Sequence, residues 1–296
     1  MTERGTESRH ALSNGIHAAT EDEILSRILS SQADAIAALE PAFRQVGLAA
    51  EAGAQALRQG RKMAYAGAGS SGLMALADCL ELPGTFGIAP DRVPMLFAGG
   101  VGALLHMQGG AEDDPALALA DLERAALGKG DIIICLAASG RTPYTLAIAK
   151  EAKARGVVVV AVSNTANAAL LSLADIAILL DTGPEIVTGS TRMGAGTSQK
   201  IVLNMISVLV AIRLGHVHDG FMVNVIADNM KLLDRAKRIV ANVAQTDPAT
   251  ALNALDQTGG AVKPAILVAQ GMGRTEAETA LAQSRGHLAP LLRQRK

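Results

Sequence analysis

Two short turns combine the residue types that grip a phosphate: Gly67-Ala68-Gly69-Ser70-Ser71-Gly72 and Ala138-Ser139-Gly140-Arg141-Thr142-Pro143. Glycines let backbone N–H groups approach an anion, the hydroxyls of Ser70, Ser71, Ser139 and Thr142 add donors, and Arg141 adds positive charge. Each turn follows an apolar run, residues 63–66 and 132–137, and precedes a helical pattern. Each is therefore expected where a parallel strand hands over to a helix, whose N-terminus favours negative charge. Side by side, the two turns predict a site for a phosphorylated small molecule. The first turn also has the G-x-G-x-x-G spacing of a dinucleotide fold, but the next strand-like run, 94–98, ends in Gly99-Gly100 instead of the acidic residue that a ribose requires. Thr142 and Pro143 read as the cap and first residue of a helix as well, yet a cap needs one hydroxyl and this turn supplies two and a guanidinium.

Two carboxylates are candidates for proton transfer. Glu81 is expected just after an apolar helix and before Leu82-Pro83-Gly84, and Glu112 follows Gly109-Gly110-Ala111. A glutamate in a loop is ordinarily just solvated. These two leave elements bordering the first glycine turn, so both are expected to reach one ligand, where carboxylates in different environments can divide acid and base work. Asp113 and Asp114 read equally well as the start of the next helix.

The stretch Pro184-Glu185-Ile186-Val187-Thr188-Gly189-Ser190-Thr191-Arg192 packs a carboxylate, hydroxyls and a guanidinium ahead of an apolar helical pattern over 197–214. Part of it must cap that helix; the density of polar groups exceeds what a cap requires, so Glu185, Thr188, Ser190, Thr191 and Arg192 are expected at the ligand. Lys200 brings positive charge to the site or sits on the helix surface, and Ser163-Asn164 is a third polar turn on the same rim or a simple turn. His106 reads as a core histidine, and His216 and His218 as members of an exposed turn without metal-ligand spacing, so no metal is expected.

The elements that must position these groups follow from periodicity. Residues 21–58 carry apolar positions at helical spacing, with Thr20 and Glu23 as a capping box. Strand-like runs at 62–66, 94–98, 131–137, 157–163 and 176–181 alternate with helical patterns at 71–80, 115–126 and 143–155. Continuous apolar strands alternating with helices predict an α/β fold with a central parallel sheet of about five strands covered on both faces. From about Asn224 the strand rhythm is lost, and Asp247-Pro248 and Lys263-Pro264 punctuate a charged helical appendage. The expected organisation is an N-terminal helical segment over 1–58, a ligand-binding domain over 59–223 and a C-terminal helical tail over 224–296.

Composition narrows the classes. With 296 residues, 49% hydrophobic and 19% charged, the chain can bury a substantial core. A net charge of -1 and 2% aromatic residues give neither the basic field nor the stacking platforms of a nucleic-acid binder, and no basic field for a membrane surface. Cys79 and Cys135 lie in apolar stretches and read as core fillers, which fits a reducing cytoplasm. Residues 1–10 are polar with no apolar signal region, and the run at 157–162 is too short to span a bilayer.

These segments resemble the sugar isomerase (SIS) fold and, more narrowly, the N-acetylmuramic acid 6-phosphate etherases. The resemblance rests on the two turns, on Glu81-Leu82-Pro83-Gly84-Thr85-Phe86-Gly87, on Gly109-Gly110-Ala111-Glu112-Asp113, and on Gly183-Pro184 through Arg192-Met193, and it spans nearly the whole chain. It implies a three-layer SIS sandwich and a cofactor-independent carbon–oxygen lyase that releases D-lactate from the C3 ether of N-acetylmuramic acid 6-phosphate, leaving N-acetylglucosamine 6-phosphate. It further implies that Glu81 is the proton donor and Glu112 the acid/base residue at C2. Phosphate and sugar would be held by Gly69, Ser70, Ser71, Ser139, Gly140, Arg141, Thr142, Ser163, Glu185, Thr188, Ser190, Thr191, Arg192 and Lys200. The resemblance implies a homodimer whose sites are completed by the neighbouring subunit. Thr6-Glu7-Ser8-Arg9 is loosely similar to a family segment near the active site. This chain departs from the family pattern at Leu73, at Val101-Gly102 and at Gly194, where Arg, Glu-Tyr and Lys are common. Two other functions need the same phosphate grip: a ketose–aldose phosphate isomerase, and a non-catalytic sugar-phosphate sensor related to the glucokinase regulatory protein. A DNA-binding regulator of this fold would need a basic recognition helix that 21–58 lacks.

Overall fold

Thr20 opens the first long helix: its hydroxyl accepts the Glu23 N–H while the Glu23 carboxylate accepts the Thr20 N–H, the expected capping box. In this computed structural model, which describes residues 5–106, 109–225 and 230–292 with backbone alone at 231, α1 covers Glu21–Ala37. The single helical stretch expected to Arg58 is interrupted around Pro41, which has no N–H to donate and disfavours helix at the residue before it, and resumes as α2 (Phe43–Arg58).

The chain divides into two units, Met1–Leu80 with Pro90–Ser207, and Glu81–Ala89 with Val208–Lys296. In the first, β1 (Met63–Gly67), α3 (Gly69–Phe86, whose last residues belong to the second unit), β2 (Met95–Phe97), α4 (Gly100–Leu105), α5 (Pro115–Ala125), β3 (Ile132–Leu136), α6 (Pro143–Ala154), β4 (Val158–Ser163), α7 (Ala169–Leu173) and β5 (Ile176–Leu179) follow in order. The strands form one fully parallel sheet, ordered β2-β1-β3-β4-β5. β1 and β3 are entirely buried and β4 nearly so, which is why their apolar runs are continuous instead of alternating. Ala64, Ala66, Ile133, Cys135, Val159 and Ala161 form one core with Leu122, Tyr144 and Ile148 from α5 and α6, and α2 packs against β1, β3 and β5. The three-layer expectation is met.

α8 (Gly194–Arg213) also carries residues of both units. Asp78 on α3 is buried and takes hydrogen bonds from the Tyr65 hydroxyl (2.9 Å), the Asn204 amide (2.7 Å) and the Ser207 hydroxyl (3.0 Å), clamping α3 between β1 and the first part of α8. By length and composition α8 is apolar enough to cross a bilayer, but 56% of that stretch is buried inside the protein, as in a core helix.

Four expectations are corrected. His106 is exposed at the C-terminal end of α4, not in the core. Glu81 lies within α3, not after it: the helix continues to Phe86 because burial of Leu82 and Phe86, one turn apart, offsets the N–H that Pro83 cannot donate. Lys263-Pro264 does not separate helices but opens α11 (Val262–Ala269), where first-turn N–H groups have no intrahelical partner to lose. His216 is half-buried, not exposed, because the chain after α8 returns as an antiparallel hairpin, β6 (Val217–His218) with β7 (Phe221–Met222), and the His216 carbonyl accepts the Val223 N–H at 2.9 Å. Asp219-Gly220 makes that turn, both residues with positive φ (46° and 78°). The rest of the second unit is helical: α9 (Met230–Ala244), α10 (Pro248–Gln257), α11 and α12 (Arg274–Gln283) around a core of Val240, Leu255, Ile266 and Leu267. Asp247 caps α10 by accepting from the Ala249 and Thr250 N–H groups at 2.9 and 3.0 Å. The expectations for residues 1–4, 226–229 and the Lys231 side chain lie outside the described residues.

Candidate active site

In a sheet ordered 2-1-3-4-5, connections run opposite ways from β1 and β3, and ligands bind in the crevice beyond the carboxyl ends of those two strands. β1 and β3 pair in register, Gly67 beside Leu136, so the two turns leave the sheet at one level. Between them lies an open cavity of about 360 Å³, built wholly from first-unit residues.

One wall is made of donors. Gly69, Ser70 and Ser71 form the first turn of α3, whose N–H groups have no intrahelical acceptor, and all three line the cavity. Opposite, Ser139, Arg141, Thr142 and Pro143 line it from the start of α6. Thr142 is the N-cap residue of α6 and lines the cavity, and its side chain makes no capping hydrogen bond, so the hydroxyl is not committed to helix initiation. The Arg141 N–H donates to Ser139 Oγ at 3.2 Å, which closes the turn on itself. Gly140 adopts φ +61°, and a Cβ there would stand 2.3 Å from that of Ala168, so only glycine fits where the turn lies on α7.

Carboxylates line the same cavity. Glu112 Oε2 lies 3.6 Å from where a Cβ on Gly69 would stand, and the Glu112 carbonyl accepts the Tyr144 N–H at 3.0 Å. Its side chain is thereby placed against one turn while its backbone is tied to the helix that follows the other. Asp114, not Asp113, caps α5, accepting from Ala116 and Leu117 N–H groups at 2.8 and 3.1 Å; Asp113 is left to line the cavity. Glu7 lines it from the N-terminal segment, and Gly189 and Thr191 from the loop before α8.

The remaining residues singled out in the sequence lie elsewhere. Ser163 is fully buried and donates to the Ala138 carbonyl at 3.1 Å, holding the second turn from beneath. Glu185 is 3% exposed, and its two oxygens accept the Gly194 and Ala195 N–H groups at 2.8 and 2.9 Å, which caps α8. Thr188, Ser190, Arg192 and Lys200 do not line the cavity, and Thr188, Arg192 and Lys200 are exposed. Glu81 belongs to the second unit, is exposed, accepts from the Thr85 hydroxyl at 3.4 Å and is not among the lining residues. None of Leu73, Val101, Gly102 and Gly194, the departures from the family pattern, lines it either. At Gly194 a Cβ would come within 3.2 Å of both Ala35 and the Glu185 carboxylate, so α1 packs closely over this position. Burial pushes the thiols of Cys79 and Cys135 up to about 12, which leaves them unreactive fillers.

Asp113 and Gly189 are not among the site residues expected from sequence, and Glu7 enters there only through the loose similarity of residues 6–9 to a family segment. Asp113 is adjacent to a cap and indistinguishable from one by type; Glu7 and Gly189 meet across more than half the chain, where no local pattern links them.

Residues 19–164 match the family model described as the SIS domain. Among solved structures, a Bacteroides fragilis protein described as a phosphosugar isomerase involved in capsule formation aligns with a TM-score of 0.53 at 18% identity, covering 68% of this chain and 95% of that one, a likeness of fold. Among curated relatives, an N-acetylmuramic acid 6-phosphate etherase of Deinococcus radiodurans is 39% identical over 290 residues, 98% of this chain and 95% of its own. That of Mycolicibacterium smegmatis is 38% identical over 284 residues, 96% and 95%, and one from Yersinia pestis 44% over 260 residues, 88% and 87%. Near-full-length identity at this level, on a SIS sheet with both glycine-and-hydroxyl turns and Glu112 around one cavity, means that the chain belongs to the N-acetylmuramic acid 6-phosphate etherase family.

Proposed function

We propose that this protein is a carbon–oxygen lyase that removes D-lactate from the C3 ether of N-acetylmuramic acid 6-phosphate and yields N-acetylglucosamine 6-phosphate, in the recycling of cell-wall sugars. The observation that carries the reading is the union, in one cavity, of two hydroxyl-bearing turns at helix N-termini with a glutamate against one of them. The 6-phosphate sits among the N–H groups of Gly69–Ser71 and the hydroxyls of Ser70, Ser71, Ser139 and Thr142, with Arg141 offsetting its charge. Gly140 and Ser163 shape the second turn, and Thr191 faces the sugar. Glu185 positions α8, and Thr188, Ser190, Arg192 and Lys200 are proposed to act at the assembled site.

Ring opening exposes an aldehyde at C1, which makes the C2 proton acidic enough for a carboxylate to remove. Glu112 takes that proton; the electron pair forms the C2–C3 double bond as the C3–O bond breaks. Lactate leaves as an alcohol because an acid protonates its ether oxygen, the role proposed for Glu81. Water then adds at C3 and a proton returns to C2, so the balance is substrate plus water to amino-sugar phosphate plus lactate. Glu81 belongs to the second unit, and the protein is proposed to be a cytoplasmic homodimer in which the neighbouring subunit completes each site. General acid and base suffice for these steps, so no cofactor is invoked.

The test is direct: purified protein with N-acetylmuramic acid 6-phosphate is assayed for D-lactate and N-acetylglucosamine 6-phosphate in equal amounts. Binding of the sugar phosphate without lactate release would replace this reading with an isomerase or a sensor.

A further inference from the structure

The cavity is lined by a second glutamate, Glu7, contributed by a segment remote in sequence. Gly5–Glu7 forms a short 3₁₀ turn, and its position is secured on both sides of Glu7. Thr6 is 1% exposed, and its carbonyl accepts the Gly189 N–H at 3.1 Å. Gly5 packs on Thr165 beyond β4, with Thr165 Oγ1 3.2 Å from where a Cβ would stand. Farther on, the Ser13 hydroxyl donates to the Ile186 carbonyl at 2.7 Å. The segment is therefore stitched to the loop before α8, and the Glu7 carboxylate rests against Gly189, its Oε2 2.9 Å from the position of an absent Cβ. A side chain at 189 would occupy that space, and with φ +73° the position already favours glycine.

Among the described residues no hydrogen bond or ion pair engages the Glu7 carboxylate, although it lines the cavity. An ionised carboxylate accepts and cannot donate. It matches a donor-bearing part of a ligand and not a phosphate, for which the same cavity provides the donors of the two turns. On the proposed substrate class that part is the sugar's hydroxyls and its amide N–H.

We propose that Glu7 is a substrate-binding residue that accepts a hydrogen bond from a hydroxyl or amide N–H of the sugar phosphate, and so sets which sugar the site takes. This rests on the sugar-phosphate reading of the cavity and assigns Glu7 no part in proton transfer. A hydrogen bond to a charged group contributes about 1.5–3 kcal/mol, roughly a 10- to 100-fold effect on affinity.

The test compares wild type, Glu7→Ala and Glu7→Gln by calorimetry with two probes, N-acetylglucosamine 6-phosphate and inorganic phosphate. Glu7→Ala is expected to weaken the sugar phosphate at least 10-fold and Glu7→Gln less, because its amide oxygen still accepts. Inorganic phosphate is expected to bind both variants as tightly as wild type or more tightly, because a negative charge has been removed from the cavity. Opposite responses of the two probes are what a merely structural role could not produce. Equal weakening of both probes in Glu7→Ala, or no change in either, overturns the proposal. Because binding is read without turnover, failure of lactate release in wild type would count against the lyase reading while leaving this comparison intact; failure of wild type to bind either probe would overturn both.

Discussion

At the scale of single residues, groups proposed to touch substrate differ from groups that hold them in place. Glu112→Gln keeps the shape of the site but cannot take a proton, so lactate release is expected to fall at least 100-fold with little change in affinity for N-acetylglucosamine 6-phosphate, measured by initial rates and calorimetry. Gly140→Ala acts differently. It places a methyl 2.3 Å from the Ala168 Cβ at φ +61°, and the left-handed backbone alone costs about 1–2 kcal/mol, so urea denaturation should show a loss above that figure. The two turns at the cavity are legible from sequence because glycine, serine and helix start are neighbours in the chain. Glu185 shows the limit of such reading: its type and company suggest a ligand contact, but both its oxygens are committed to the N–H groups of Gly194 and Ala195. Glu7 shows the converse, since its place against Gly189 depends on a contact between residues remote in the chain.

At the scale of elements, helix ends and buried basic groups decide stability. α8 begins on glycines, poor helix formers, and relies on Glu185 to satisfy two of its first N–H groups in a buried setting. Glu185→Ala is expected to destabilise the protein by about 1–3 kcal/mol in chemical denaturation, the cost of leaving buried donors unsatisfied. In the second unit, burial lowers His216 to about 4, with Lys263 adding to the effect, and burial lowers Lys263 to about 8. For both groups the unfolded chain binds more protons than the folded one between the two pKa values. Stability is therefore expected to rise with pH from about 4 to 6.5 through His216 and again from about 8 to 10.5 through Lys263. His216→Gln should flatten the acid limb of a plot of melting temperature against pH and leave the alkaline limb in place. A melting temperature that falls with rising pH across 4 to 6.5 in wild type would contradict this assignment. The five strands were readable because each is a continuous apolar run; the Val217–Met222 hairpin was not, because two-residue strands carry too few positions to show a period, even though Asp219-Gly220 is the turn that such a hairpin needs.

At the scale of the whole molecule, fold and chemistry meet at the carboxyl ends of β1 and β3, where the parallel order 2-1-3-4-5 opens a crevice and the two turns fill it with donors. Family membership accounts for that architecture; the chemistry rests on whether a base in the cavity removes the C2 proton. The proposed homodimer is tested by sedimentation, where a single species at twice the 30.4 kDa chain mass is expected. The most direct test of the central claim is to turn over N-acetylmuramic acid 6-phosphate in deuterated water and locate deuterium in the products by mass spectrometry and NMR. The account predicts lactate release with one deuterium at C2 of N-acetylglucosamine 6-phosphate, and loss of both in Glu112→Gln. Lactate released with no deuterium at C2 would mean direct displacement at C3 and would contradict elimination through this site.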